Sequence, residues 1–187
     1  VFDLVRGFRG DGGEMALVAM VSYTIVYAHG VRRYLAAAAG AGFDGLIVPD
    51  LPLEEAGLFE PMTASQGLCN VMLIAPTTSQ KRRLEIAKHS RGFIYFISVA
   101  GITGERDRLP EATISAVDEL HTHTGMPSCV GFGISTPDMV AEVCRVADGA
   151  IVGSAIVRRI SADKDKPREQ LVEHIGDFVA QLMEPLK

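Results

Sequence analysis

Six short, almost wholly apolar runs alternate with longer helical stretches along this chain, and that alternation restricts its fold more than any other feature. The runs are 16–23, 45–48, 71–74, 93–98, 128–131 and 150–152. They are apolar nearly throughout, as expected of parallel strands buried on both faces. The spacing predicts helices over 31–41, 54–66, 78–89, 112–124, 137–146 and 167–182, and the opening 1–8 reads as a helix with no strand before it. Glu54 and Glu55 stand where a helix N-terminus favours negative charge, and Ser79 is a candidate cap for the helix that follows it. The order is a helix and then six βα units, which implies a parallel sheet with right-handed crossovers.

Two architectures satisfy that order, a doubly wound open sheet and a (β/α)8 TIM barrel. No linker or low-complexity stretch divides the chain, so 1–187 reads as a single domain. Six parallel strands do not close an eight-stranded barrel. The barrel reading therefore makes this a partial TIM-barrel domain, lacking a first β-α-β segment that is expected upstream of Val1.

A net charge of −5 leaves no basic surplus for a nucleic-acid partner. No apolar run approaches a membrane span. Cys69, Cys129 and Cys144 lack CxxC spacing and sit in or beside apolar stretches, which suits buried reduced thiols and a cytoplasmic setting.

The residues that speak for chemistry cluster at strand ends. Gly131-Phe132-Gly133-Ile134-Ser135-Thr136 and Gly149-Ala150-Ile151-Val152-Gly153-Ser154 each follow a strand and precede a helix. Glycine lets a backbone approach an anion, and Gly153-Ser154 would open a short helix over 155–160 whose first amides attract a phosphate dianion. A phosphate site built from the last two βα loops and a short helix recurs in barrels, while two tight βα turns would need the same glycines for geometry alone. The long polar stretch 98–110, with Gly101 and Gly104, has the composition of a lid or of a solvated connection.

Asp50 ends a strand and could serve as a general base or as a turn-forming residue. Tyr23 and Tyr95, near strand ends, could line an aromatic pocket or pack in the core. His121 and His123 have no third ligand near them in sequence and read as surface histidines, and Lys81-Arg82-Arg83 reads as a solvated helix face.

Taken together, residues 45–55 (GLIVPDLPLEE), 95–104 (YFISVAGITG), Gly131-Phe132-Gly133-Ile134-Ser135 and Gly153-Ser154-Ala155-Ile156-Val157 resemble the tryptophan synthase alpha subunits, across essentially the whole chain. The resemblance implies a TIM barrel that cleaves indole-3-glycerol phosphate to indole and glyceraldehyde 3-phosphate in tryptophan biosynthesis, with neither metal nor organic cofactor. It implies that Gly104, Phe132, Gly133, Gly153 and Ser154 hold the substrate phosphate. Tyr95, Phe132, Ile74, Pro49 and Ile151 would line the indole pocket, and Thr103 would sit on a closing lid. The implied partner is the pyridoxal-phosphate beta subunit, in an alpha-beta-beta-alpha complex.

The chain also departs from the family pattern. The family's acid/base glutamate and its partner aspartate fall before the helix that 1–8 resembles, hence upstream of Val1, and the chain alone is expected to be inactive. Val99 stands where some members carry arginine, and Ser22-Tyr23-Thr24-Ile25 replaces a commoner Tyr-Tyr-Asn-Pro-like run. A non-catalytic phosphate-binding barrel fragment, or another phosphate-binding TIM-barrel enzyme, would share much of the same sequence pattern.

Overall fold

The structure, a computed structural model, describes residues 1–98, 109–131 and 133–186. Along the chain run α1 (Phe2–Gly10), β1 (Val18–Met20), α2 (Tyr23–His29), α3 (Val31–Ala41), β2 (Gly45–Ile47) and α4 (Leu53–Ser65). They are followed by β3 (Cys69–Ile74), α5 (Gln80–Lys88), β4 (Ile94–Ile97), α6 (Glu111–Thr124), β5 (Ser128–Gly131) and α7 (Pro137–Val143). The chain ends with β6 (Gly149–Ile151), α8 (Ser154–Ala162), α9 (Arg168–Met183) and a 3-10 turn, Glu184–Leu186. Strands and helices alternate as the apolar periodicity requires, and the fold is of the (β/α)-barrel class.

The chain divides into two compact units, Val1–Ile74 with Lys81–Ile94, and Ala75–Gln80 with Tyr95–Lys187. In the first unit β1, β2 and β3 pair in parallel, with Val18 opposite Gly45 and Gly45 opposite Cys69. The β1–β2 ladder extends past the strand ends, where Val21 N–H donates to Ile47 O at 3.0 Å and Asp44 N–H to Leu17 O at 2.8 Å. Helix α3 turns Leu35, Ala38 and Ala41 inward at helical spacing and leaves Arg32 and Arg33 in solvent. Its outer neighbour α1 is pinned by aromatic edges, Phe2 lying 5.5 Å from Tyr34 and 5.9 Å from Phe43 between ring centroids.

Helix α4 contains Pro61, which removes the bond its N–H would make to the carbonyl four residues back. That carbonyl belongs to Gly57, on the exposed face where it is open to solvent, and the helix continues.

In the second unit β5 and β6 pair in parallel, Cys129 opposite Gly149 and Gly131 opposite Ile151. Its core gathers Phe96, Val117, Leu120, Val130 and Val143, all within 1% of full burial. Helix α9 adds Phe178 and Leu182, four residues apart on one face.

Candidate functional site

Parallel βα units converge on the carboxyl ends of their strands, so the loops after β1 to β6 are where the chemistry belongs. In the second unit, Gly131 at the end of β5 lies directly opposite Ile151 at the end of β6. Gly133 follows Gly131 by two residues and Gly153 follows Ile151 by two, so a glycine stands just past the end of each strand. Gly133 has φ +82°, a left-handed conformation that glycine adopts without penalty. Gly153 is the N-cap of α8 with no side chain bonded over it, and no acidic residue stands in the helix's first turn. Val157 N–H and Ile156 N–H close onto Gly153 O at 3.2 and 3.0 Å. The amides of Ser154 and Ala155 precede these and have no carbonyl within the helix. Ser154 is exposed and forms the rim of this corner. Exposed amides at a helix start, with no competing carboxylate, make an anion-attracting corner.

Beside that corner the Tyr95 ring lies across Gly131. A β-carbon on Gly131 would meet Tyr95 Cε2 at 2.7 Å, its hydroxyl oxygen at 2.8 Å and Ile151 Cβ at 2.9 Å. Glycine at position 131 is therefore a steric requirement, letting Tyr95 and Ile151 flank a bare stretch of backbone. Tyr95 is 9% exposed, and burial pushes its phenol above the ordinary value. The hydroxyl therefore stays protonated near neutral pH and can act as a hydrogen-bond donor. Ser98 N–H donates to Gly131 O at 2.8 Å and fixes the end of β4 against β5.

In the first unit Asp50 does not stand free. Its carboxylate accepts from Ser22 Oγ at 2.7 Å and from Tyr23 N–H at 2.6 Å, while Ser22 Oγ accepts from Thr24 N–H at 3.3 Å. The Ser22 hydroxyl and the Tyr23 amide hold this carboxyl below the usual range. A depressed pKa weakens a general base, and the geometry makes Asp50 a remote acceptor for the start of α2, whose N-cap is Ser22. Tyr23, expected at a strand end, is instead the first residue of α2. Its ring sits edge-on to Phe59 of α4 at 6.1 Å, and burial and then the nearby Glu55 raise its pKa.

Of the pocket residues, Tyr95 and Ile151 come together around Gly131. Ile74 is fully buried at the end of β3, and Pro49 is exposed beyond β2. Thr103, Gly104 and Phe132 lie outside the described residues, as does Val99. The spacer role of Gly131 is not legible in its motif, which by itself suits an anion cradle or a tight βα turn. His121 and His123 are exposed on the last turn of α6, His123 Nδ1 lying 2.8 Å from Glu119 O. The three cysteines are free and only half-buried, less enclosed than the apolar runs around them suggest. Among the described residues no cluster could hold a metal ion, and no helix is long and apolar enough to cross a membrane.

Fold and site together define a (β/α)-barrel protein with glycine-rich ends on its last two strands. The family model described as "Tryptophan synthase alpha chain" matches residues 1–184. The chain is 42% identical over 179 residues to the tryptophan synthase alpha chain of Rhodopirellula baltica, covering 92% of this chain and 64% of that one. It is 41% identical over 187 residues to that of Clostridium beijerinckii, covering 100% and 69%. Among solved structures, the tryptophan synthase alpha subunit of Pyrococcus furiosus is similar with a TM-score of 0.84 and 31% identity, over 97% of this chain and 71% of that chain. This chain belongs to the tryptophan synthase alpha chain family, and it spans 64% and 69% of the length of these two curated relatives.

Proposed function

We propose that this chain is the substrate-holding part of a tryptophan synthase alpha subunit, a cytoplasmic lyase that cleaves indole-3-glycerol phosphate to indole and glyceraldehyde 3-phosphate. The observation that carries this reading is the pair of glycines, Gly133 and Gly153, just past the paired ends of β5 and β6, beside the Tyr95 ring that crosses Gly131. The phosphate would sit on the first amides of α8 with Ser154 at its edge, together with Gly104 and Phe132. The indole would lie against Tyr95 and Ile151, with Phe132, Ile74 and Pro49 completing the pocket and Thr103 on the lid.

Reverse aldol cleavage requires one proton delivered to the indole ring and another removed from the glycerol hydroxyl. Asp50 is committed to Ser22 and Tyr23 and is a poor base. By the family resemblance, the acid and base are assigned to parts of the family's chain that these 187 residues do not contain. On this reading the residues here bind and orient, and the 187-residue chain alone does not turn over. The partner is the family's beta subunit, in an alpha-beta-beta-alpha complex. The exposed apolar side chains of Ile25 and Tyr27 on α2 offer a surface to it.

The test is a titration of the chain with indole-3-glycerol phosphate, followed by amide NMR. A β-carbon at Gly153 would meet no atom within 4 Å, so the position admits a side chain, and Gly153→Gln controls for the bulk that Gly153→Glu adds. Gly153→Glu should weaken binding about tenfold or more relative to Gly153→Gln. Equal affinity of the two variants would remove the phosphate from the start of α8.

A further inference from the structure

Positions 155, 158, 159 and 162 of α8 fall at i, i+3, i+4 and i+7, a single face of the helix. On an amphipathic helix such a face is ordinarily apolar. Here its two ends are alanines, Ala155 and Ala162, and its middle is Arg158 and Arg159. The small ends leave a crevice of about 220 Å³, lined among the described residues by Ser135, Ala155, Arg158, Arg159, Ala162 and Phe178. None of these is acidic.

The two guanidinium groups are differently held. Arg159 lies over the Phe178 ring with its Cζ 3.7 Å from the centroid, which orders its donor fork. Arg158 is exposed and makes no hydrogen bond or ion pair among the described residues. Across the crevice Ser135 Oγ spends its proton only on a weak 3.8 Å contact to Met139 Sδ. Asp163 and Asp177 line a neighbouring cavity with Arg159; Asp163 is engaged by Lys166 at 2.8 Å and His174 at 3.0 Å, and among the described residues neither carboxylate forms an ion pair with Arg158 or Arg159. Two arginine forks and a hydroxyl around a small floor suit a tetrahedral dianion.

We propose that this crevice on the flank of α8 is a second anion site, one that binds a phosphoryl dianion, either free phosphate or a small phosphate monoester. It uses side chains of the helix flank, whereas the substrate phosphate is assigned to backbone amides at the helix start. It goes beyond the proposed activity and does not depend on it.

The probes are inorganic phosphate and glycerol 3-phosphate, added to the 187-residue chain at constant ionic strength while the arginine Nε–H and backbone amide resonances are followed. Both arginine Nε–H signals should shift saturably with phosphate and remain still with chloride. Arg158→Gln, at an exposed position without partners, should weaken that response about tenfold while leaving shifts at Gly153 and Ser154 intact. Tighter binding of glycerol 3-phosphate than of phosphate would identify the ligand as a monoester, and the reverse order as the free ion. Arginine signals that ignore phosphate, or that respond equally to chloride, overturn the second site. Movement of the Gly153 and Ser154 amides without the arginines would leave the substrate reading standing alone. Movement of the arginines alone would keep this site and remove that reading.

Discussion

Arg9 near the end of α1 is the first residue to perturb, because one side chain there closes four gaps. Its Nε donates to Gly42 O at 2.9 Å, and its Nη1 to Gly13 O at 2.8 Å and Met15 O at 2.9 Å. Its Nη2 reaches Asp44 Oδ2 at 2.7 Å, and the same oxygen accepts from Leu17 N–H at 2.7 Å. The α1–β1 connection, the end of α3 and the approach to β2 are thereby tied to one guanidinium. Gly42 takes part sterically as well, since it has φ +99° and a β-carbon there would lie 2.7 Å from Arg9 Cγ.

Charge-assisted hydrogen bonds contribute roughly 1.5–3 kcal/mol each when enclosed. The Arg9 side chain is 24% exposed and Asp44 52%, so the carboxylate contact is heavily screened and the four contributions do not add. Arg9→Met keeps the stem packing and should cost about 2–3 kcal/mol in total. Arg9→Lys should recover less than half of that, because one ammonium cannot serve acceptors arranged around a planar fork. Urea unfolding followed by far-ultraviolet circular dichroism is the assay, with the midpoint falling and the slope unchanged. A loss below about 0.5 kcal/mol for Arg9→Met, the ordinary range for surface changes, would refute the clamp.

Other substitutions test other joints. Gly131→Ala forces three contacts below 3.0 Å, one of them to the β-branched Ile151, and should cost about 1–3 kcal/mol in thermal unfolding. Combining it with Tyr95→Ala should cost less than the sum of the two, and strict additivity would mean that the ring does not fill that space. Asp50 has its pKa depressed by Ser22 and the Tyr23 amide, so its contribution is present above the unfolded value of about 4 and is lost as pH falls through the lower folded value. Asp50→Asn should therefore flatten the acid limb of a melting-temperature profile, and an unchanged limb would contradict the assignment. Burial, with Asp148 and Cys144 nearby, pushes the Cys129 thiol up. Iodoacetamide should label Cys129 more slowly in the folded chain than in urea, as read by mass spectrometry.

How far the sequence revealed this molecule depends on whether a signal was local. The β5 run 128–131 was legible at both ends, because Pro127 precedes it and Gly131 closes it. Helix α3 was likewise legible at both ends, its run of alanines bounded by Gly30 and Gly42. By contrast, the run 16–23 overreaches its strand. Residues 23–27 are rich in aromatic and β-branched side chains and look extended, yet they form a helix. Ser22 caps that helix, and Asp50, which lies 27 residues beyond Tyr23, supplies the acceptor for the Tyr23 amide. No window around Tyr23 contains that carboxylate. The glycines of the candidate site divide the same way. Gly133 could be anticipated from backbone freedom, whereas Gly131 is explained only by a ring arriving from β4. The α8 stripe was present in the sequence too, but its meaning depended on finding a crevice beside it.

The central claim, that these residues hold the substrate without supplying its acid and base, is tested most directly by incubating the chain with indole-3-glycerol phosphate. The mixture would be followed by proton NMR for both substrate broadening and free indole. The account predicts saturable broadening of the substrate's indole signals and no release of indole over hours. Indole appearing with the chain alone would contradict it, because a proton donor and acceptor would then lie among these 187 residues.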